Sequence, residues 1–245
     1  MTMNYAHRGY RAAYPENTLL AFRKAIEAGC DGFELDVQRT KDGVLVVIHD
    51  ETVNRTTNGF GAVKDLTFEE IRALDAGAGE RLPTLEECLA LAREANVAVN
   101  IELKNSVERY EGMEAAVIGL VRRLGMAERV YLSSFLHESI TLCKTLAPDI
   151  RGGLLCEQPA LAEPNLAKLF AQMAAHKIEY LHPCVDGLGA AVFALAAKHG
   201  VGIHVWTVNS PAQMAWLLRE PSVCGVITDD PALLAQIIRA KGQEV

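Results

Sequence analysis

Residues Val97 to Leu103 read VAVNIEL, a short run of β-branched and apolar residues between a polar helix-like stretch and KNSVERY. That is the pattern of a strand buried on both faces. Similar runs follow at Val130 to Leu132, Ile150 to Leu155, Tyr180 to His182, Val201 to Trp206 and Gly225 to Thr228. Two more precede it, Tyr5 to His7 and Phe33 to Val37. Stretches rich in Ala, Leu, Lys and Glu lie between them, among them Thr18 to Glu27 and Thr84 to Glu94. Strand and helix alternate through eight βα units, which predicts an α/β protein with a parallel sheet. Eight units favour a closed (β/α)8 TIM barrel over an open doubly wound sheet. Thr67 with Glu70 and Thr84 with Glu87 have capping-box spacing and mark helix starts.

One interval breaks the rhythm. From Val37 to the helix at Thr84 the chain is far longer than an ordinary βα loop, which predicts an insertion after the second strand, a lid or substrate wall at the barrel mouth. It opens with a hairpin pattern, Phe33 to Val37, a turn at Thr40 to Gly43, then Val44 to Ile48. Gly43 suits the positive φ of such a turn. A turn centred between Lys41 and Asp42 pairs residues whose numbers sum to about 83. This sets His49 opposite Glu34. No linker or low-complexity tract divides residues 1–245, so a single domain is expected.

Composition narrows the function. Half the residues are hydrophobic and 22% are charged, which excludes disorder, collagen and coiled coil. The net charge of −7 argues against extended polyanions such as nucleic acid. Cys30, Cys88, Cys143, Cys156, Cys184 and Cys224 include no CxxC pair, so reduced thiols and a cytoplasmic setting are expected, and a zinc ribbon is not. The N-terminus MTMNYAHRGY lacks a signal-peptide core, and no apolar run is long enough to span a bilayer. The mature chain is therefore expected to start near Met1.

The candidate chemistry begins with Glu34 and Asp36. They stand two apart on a strand, so both carboxylates share one face while Phe33, Leu35 and Val37 take the other. Glu102 and Lys104 repeat the arrangement on the next barrel strand. Three carboxylates in one small mouth repel one another unless a cation neutralises them. Oxygen ligands without cysteine fit one divalent cation, Mg2+ or Ca2+. His7 and Arg8 end the first strand, where the Arg8 fork suits phosphate and Gly9 would permit a close ligand approach. With His49 at the same mouth, two imidazoles could divide the proton work, one deprotonating a nucleophile and one protonating a departing alkoxide.

Trp206 and Phe135 suit either an apolar substrate wall or core positions. His182 and His204 are expected to be structural. Asp229 and Asp230, just before Pro231, read as a cap on the last helix. No GxxxxGK[ST], GxSxG or HExxH occurs, which leaves the P-loop, serine-hydrolase and zincin chemistries without support.

Several stretches together resemble the glycerophosphodiester phosphodiesterase family. They are HRG at His7, PENT at Pro15, ELDV at Glu34, TKDG at Thr40, HD at His49, RTTNGFG at Arg55, PTLEE at Pro83, IELK at Ile101, SSF at Ser133, WTVN at Trp206 and TDDP at Thr228. They keep the family's order over almost the whole chain. The resemblance implies a TIM barrel whose inserted segment is residues 50–83, and hydrolysis of glycerophosphodiesters to glycerol 3-phosphate and an alcohol. It also implies metal ligation by Glu34, Asp36 and Glu102, acid/base roles for His7 and His49, and phosphate contacts from Arg8 and Lys104. Between Leu74 and Pro83 the chain is shorter and richer in Ala and Gly than the family's pattern, which implies a looser enclosure of the leaving alcohol. A barrel phospholipase acting on phosphoinositides or sphingomyelin, and a noncatalytic phosphodiester binder, are the competing readings. The absence of an apolar docking stretch disfavours the first, and the paired histidines beside three acids disfavour the second. Locally, three acids set against Arg8, Lys104 and one divalent ion leave a single positive charge to meet a phosphodiester, despite the acidic chain.

Overall fold

The computed structural model describes residues 2–162 and 164–242. Nine strands occur among them: β1 (Met3–His7), β2 (Gly32–Arg39), β3 (Leu45–Val47), β4 (Ala98–Leu103), β5 (Val130–Ser134), β6 (Arg151–Cys156), β7 (Tyr180–Pro183), β8 (Gly202–Val205) and β9 (Val223–Thr228). All but β3 run parallel, and β1 pairs with both β9 and β2, so eight strands close into a (β/α)8 barrel. The helices are α1 (Leu19–Glu27), α2 (Phe68–Arg72), α3 (Leu85–Ala95), α4 (Met113–Arg123), α5 (His137–Leu146), α6 (Asn165–His176), α7 (Ala190–His199), α8 (Pro211–Leu217) and α9 (Pro231–Gly242). Thr67 and Thr84 each accept from the third residue of the helix that follows, whose Glu70 or Glu87 reaches back to the cap, so both expected capping boxes form.

Strand alternation decides which residues build the core and which reach the mouth. Phe33, Leu35 and Val37 of β2, with Val99, Ile101 and Leu103 of β4, point outward and are fully buried beneath the helices. Phe22 of α1 stacks on Phe33 at 4.4 Å between ring centroids. Truncating such a ring to Ala costs about 3–5 kcal/mol, because the cavity cannot fully close. The other face of each strand fills the barrel. There Tyr5, Tyr131, Tyr180, His182 and His204 pack against one another. Space for the two imidazoles comes from glycine, since a Cβ on Gly153 would lie 2.4 Å from His182 Nε2 and one on Gly225 2.8 Å from His204 Cδ2. Burial drives both rings to the neutral form, His182 down to about 3 and His204 well below its ordinary value.

The hairpin register differs by one from the expected sum. Val37 pairs with Val47 and Arg39 with Leu45, so paired numbers sum to 84, and the ladder ends at Val47. The turn needs the extra residue because Thr40 N and Gly43 N donate to Val44 O and Thr40 O in turn, with Gly43 at φ 89°. His49 is therefore outside the ladder and not opposite Glu34. From β3 onward the chain forms a small second core of Val46, Ile48, Val53, Val63, Ile71, Ala76 and Leu82. This holds the insertion against the barrel rim independently of the main core.

Candidate active site

The carboxylates come together because β2 and β4 are neighbours in register. Asp36 pairs with Glu102, one alternation beyond Glu34 with Asn100. All three acids are buried, and one oxygen of each lies within 4.8 Å of the others, the one such cluster of His, Cys, Asp or Glu among the described residues. Burial, then repulsion from Asp36 and Glu102, pushes Glu34 well above the usual carboxylate range. Burial and Asp36 raise Glu102 to about 7. Burial also raises Asp36, but Arg8, His49 and Lys104 outweigh it and hold this carboxyl down. Asp36 Oδ1 is buried and accepts no hydrogen bond. Repelling acids and an orphaned oxygen in a cysteine-free cluster fit a hard divalent cation.

Two cations flank the cluster. Lys104 Nζ donates to Glu102 Oε1 at 2.8 Å and stands 4.0 Å from Asp36 Oδ1. Arg8 follows β1 in a left-handed conformation, φ 55°, so that its backbone N donates to Glu34 Oε2 at 3.0 Å while its Nε stands 3.3 Å from Asp36 Oδ2. Gly9, at φ 84°, completes this turn and permits a close approach to α1. A Cβ there would be 2.7 Å from Ala21 Cβ.

Each histidine is oriented by an aspartate. His7 Nδ1 lies 2.6 Å from Asp229 Oδ1, and His49 Nδ1 lies 2.7 Å from Asp50 Oδ1. Nδ1–H donation leaves both Nε2 atoms for other partners, and His49 Nε2 is 3.3 Å from Lys104 Nζ. Burial lowers His7, against the Asp229 hydrogen bond, which raises it. Asp229 in turn accepts from Asn209 Nδ2 at 2.9 Å. Sequence reading had placed Asp229 in a helix cap; Asp230 alone does that, accepting from Leu233 N at 3.0 Å. The barrel explains the difference, since Ala6 pairs with Thr228 and the next residues, His7 and Asp229, emerge side by side.

Glu16 and Arg55 tie the two arms together. Glu16 accepts from Arg8 Nη1 at 3.0 Å, from Arg55 Nη2 at 2.8 Å and faces Arg11 Nε at 3.0 Å. Arg55 also donates to Asp50 through Nε at 2.7 Å. Asn17 holds Asp36 Oδ2 at 2.9 Å. Neither Glu16 nor Asn17 was singled out from sequence, although both stand in the PENT stretch at Pro15 to Thr18.

The remaining expected residues line the same cavity of ≈ 290 Å³, with His7, Arg8, Glu34, His49, Glu102 and Lys104 on one side and Phe135 and Trp206 on the other. Phe135 meets Trp206 edge to face at 5.6 Å, and Trp206 Nε1 donates to His182 O at 2.7 Å, which fixes the indole. Leu155 and Glu157 complete that wall.

Residues 7–233 match the Glycerophosphoryl diester phosphodiesterase family. A glycerophosphodiester phosphodiesterase of Caldanaerobacter subterraneus subsp. tengcongensis is 44% identical over 98% of this chain and 99% of its own length. The crystal structure of a glycerophosphodiester phosphodiesterase from Agrobacterium tumefaciens superposes with a TM-score of 0.81 at 32% identity, covering 96% of this chain and 100% of that one. An Oleispira antarctica phosphodiesterase in complex with the product sn-glycerol-3-phosphate superposes with a TM-score of 0.85 at 25% identity, over 96% of both chains. By family match and by full-length similarity, the chain belongs to the glycerophosphoryl diester phosphodiesterase family and is an enzyme of that class.

Proposed function

We propose that this enzyme hydrolyses glycerophosphodiesters to glycerol 3-phosphate and an alcohol, with a divalent cation, Mg2+ or Ca2+, held by Glu34, Asp36 and Glu102. The observation that carries the reading is a pair of aspartate-oriented histidines on one cavity with a buried carboxylate cluster between two cations. When bound, the cation neutralises the acids and polarises a phosphoryl oxygen. Arg8 and Lys104 bind the phosphate and stabilise the charge that grows on it. Of His7 and His49, one takes the proton of the attacking hydroxyl and the other gives a proton to the departing alkoxide; attack by water gives glycerol 3-phosphate at once, and attack by the glycerol 2-OH gives a cyclic phosphate that water then opens. Phe135 and Trp206 exclude water from one side. Residues 1–245 act as one unit, with 50–83 as the family-type insertion. Six free thiols, four of them buried, favour a reducing, cytoplasmic setting, and no helix among the described residues is long and apolar enough to cross a membrane.

Release of glycerol 3-phosphate from several glycerophosphodiesters, with and without EDTA and for His49→Ala, tests this reading. Chelation and the substitution should each abolish most turnover; activity indifferent to both would refute the site. Cation binding should also release protons near neutral pH, because the Glu102 carboxyl, at about 7, must ionise to bind. Affinity for Mg2+ or Ca2+ should therefore rise with pH.

A further inference from the structure

We propose that the groove between Phe135 and Pro159 is the leaving-group subsite, and that Glu157 selects cationic amino-alcohol headgroups there. This rests on the hydrolysis proposed above. A second cavity of ≈ 280 Å³, lined by Phe135, His137, Leu155, Cys156, Glu157 and the 159–160 turn, opens beside the first and shares Phe135, Leu155 and Glu157 with it. The two form one continuous surface. With the divalent cation proposed above held by Glu34, Asp36 and Glu102, the phosphate end carries a net positive charge and the far end a negative one. Arg8 follows β1 and Lys104 follows β4, whereas Glu157 follows β6, across the barrel from β1 in the strand order. No Lys or Arg lines the second cavity among the described residues.

The two carboxylates at the phosphate end of the first cavity have partners: Glu34 accepts from Arg8 N, and Glu102 from Lys104 Nζ. Glu157 is exposed and lines the first cavity together with Phe135 and Trp206. A carboxylate sharing a cavity with aromatic side chains is the chemistry that holds an ammonium group, by charge pairing and by attraction to a ring quadrupole. The held indole of Trp206 makes that wall ready before the ligand arrives, which lowers the entropic cost of binding. A zwitterionic diester, anionic at phosphate and cationic at its headgroup, matches this polarity along its length. Neutral polyol headgroups match only the phosphate end.

The test is the kcat/KM ratio of glycerophosphocholine and glycerophosphoethanolamine to glycerophosphoglycerol, for wild type, Glu157→Gln and Glu157→Lys. Differences in leaving-group acidity are common to all three proteins, so the change in ratio reads Glu157. Removing the charge should lower the ratio about 5-fold, and reversing it should lower it further. The wild-type ratio should also shrink as salt rises, while that of Glu157→Gln stays flat. Ratios that agree across the three proteins would overturn the subsite with diester hydrolysis left standing. Failure of wild type on every diester would remove both readings.

Discussion

The His7 arm and the His49 arm carry the same pair of side chains on different foundations. His7 ends a core strand, and its aspartate directly follows the strand beside it, so the pair exists only when β1 meets β9 and the barrel closes. His49 and Asp50 are adjacent in sequence and lie beyond the hairpin ladder, against the insertion with its own small core. The imidazole side chains are 11% and 31% exposed respectively. One arm is therefore fixed by the whole fold and the other by a local unit that Arg55 and Glu16 fasten to it. Proton chemistry of comparable kind needs only that Nε2 be aimed at the cavity, and rigidity can come from either source.

The largest expected effect breaks either arm outright. His7→Ala and His49→Ala should each lower kcat by about 10²–10⁴ with little change in KM, since general acid–base catalysis is worth that much. Their substrates separate them. With an activated p-nitrophenyl leaving group, the variant lacking the acid should recover most of its rate and the other should not; equal recovery would refute the division of labour.

Next come the aspartates. In Asp229→Asn the amide cannot accept from both His7 Nδ1 and Asn209 Nδ2, so one contact becomes donor against donor. Asp50→Asn faces water, and Arg55 keeps its hold on Glu16. Loss of kcat should be about 100-fold in the first and below about 10-fold in the second, because the His7 ring is 11% exposed and the His49 ring 31%, although the two aspartates are similarly open to water. Equal losses would show that burial does not distinguish the arms. Asp229→Asn carries a pH mark as well. The aspartate raises the His7 value against burial, so its removal should move the His7 limb of the kcat/KM profile to lower pH. An unmoved limb would detach His7 from that titration.

The arms also differ in what their sequence disclosed. Short apolar runs were enough for the eight barrel strands, because strands buried on both faces read that way, and alternation along two of them was enough to set Glu34, Asp36 and Glu102 on one face. The hairpin brought His49 to the mouth, yet its register was off by one, since turn hydrogen bonds at Thr40 and Gly43 set it and apolar pattern does not. Asp229 left no trace. A DDP stretch before a helix is sufficiently explained by capping, and the contact with His7 spans 222 positions and depends on barrel closure. Gly9 is legible only in part: glycine signals close approach without saying to what, and the structure sets α1 against it.

The smallest effect should come from the strap that joins the arms. Glu16 is held at about 2 because hydrogen bonds from Arg55 and Arg8, with the charges of both, outweigh the burial that raises it. A folded-state value below the unfolded one stabilises the protein above the ordinary glutamate range and ceases to do so as pH falls through the folded value. Glu16→Gln should therefore cost about 2 kcal/mol near neutral pH, less than the full shift implies because Arg55 is partly solvated. Urea denaturation should show that gap closing as the pH approaches about 2. The turnover cost should be a few-fold, chiefly in KM, since Arg8 keeps its contacts to Glu34 and Asp36 but loses one anchor. A stability gap that persists unchanged in acid would mean that Glu16 acts by packing, and that the two arms stand without a charged tie between them.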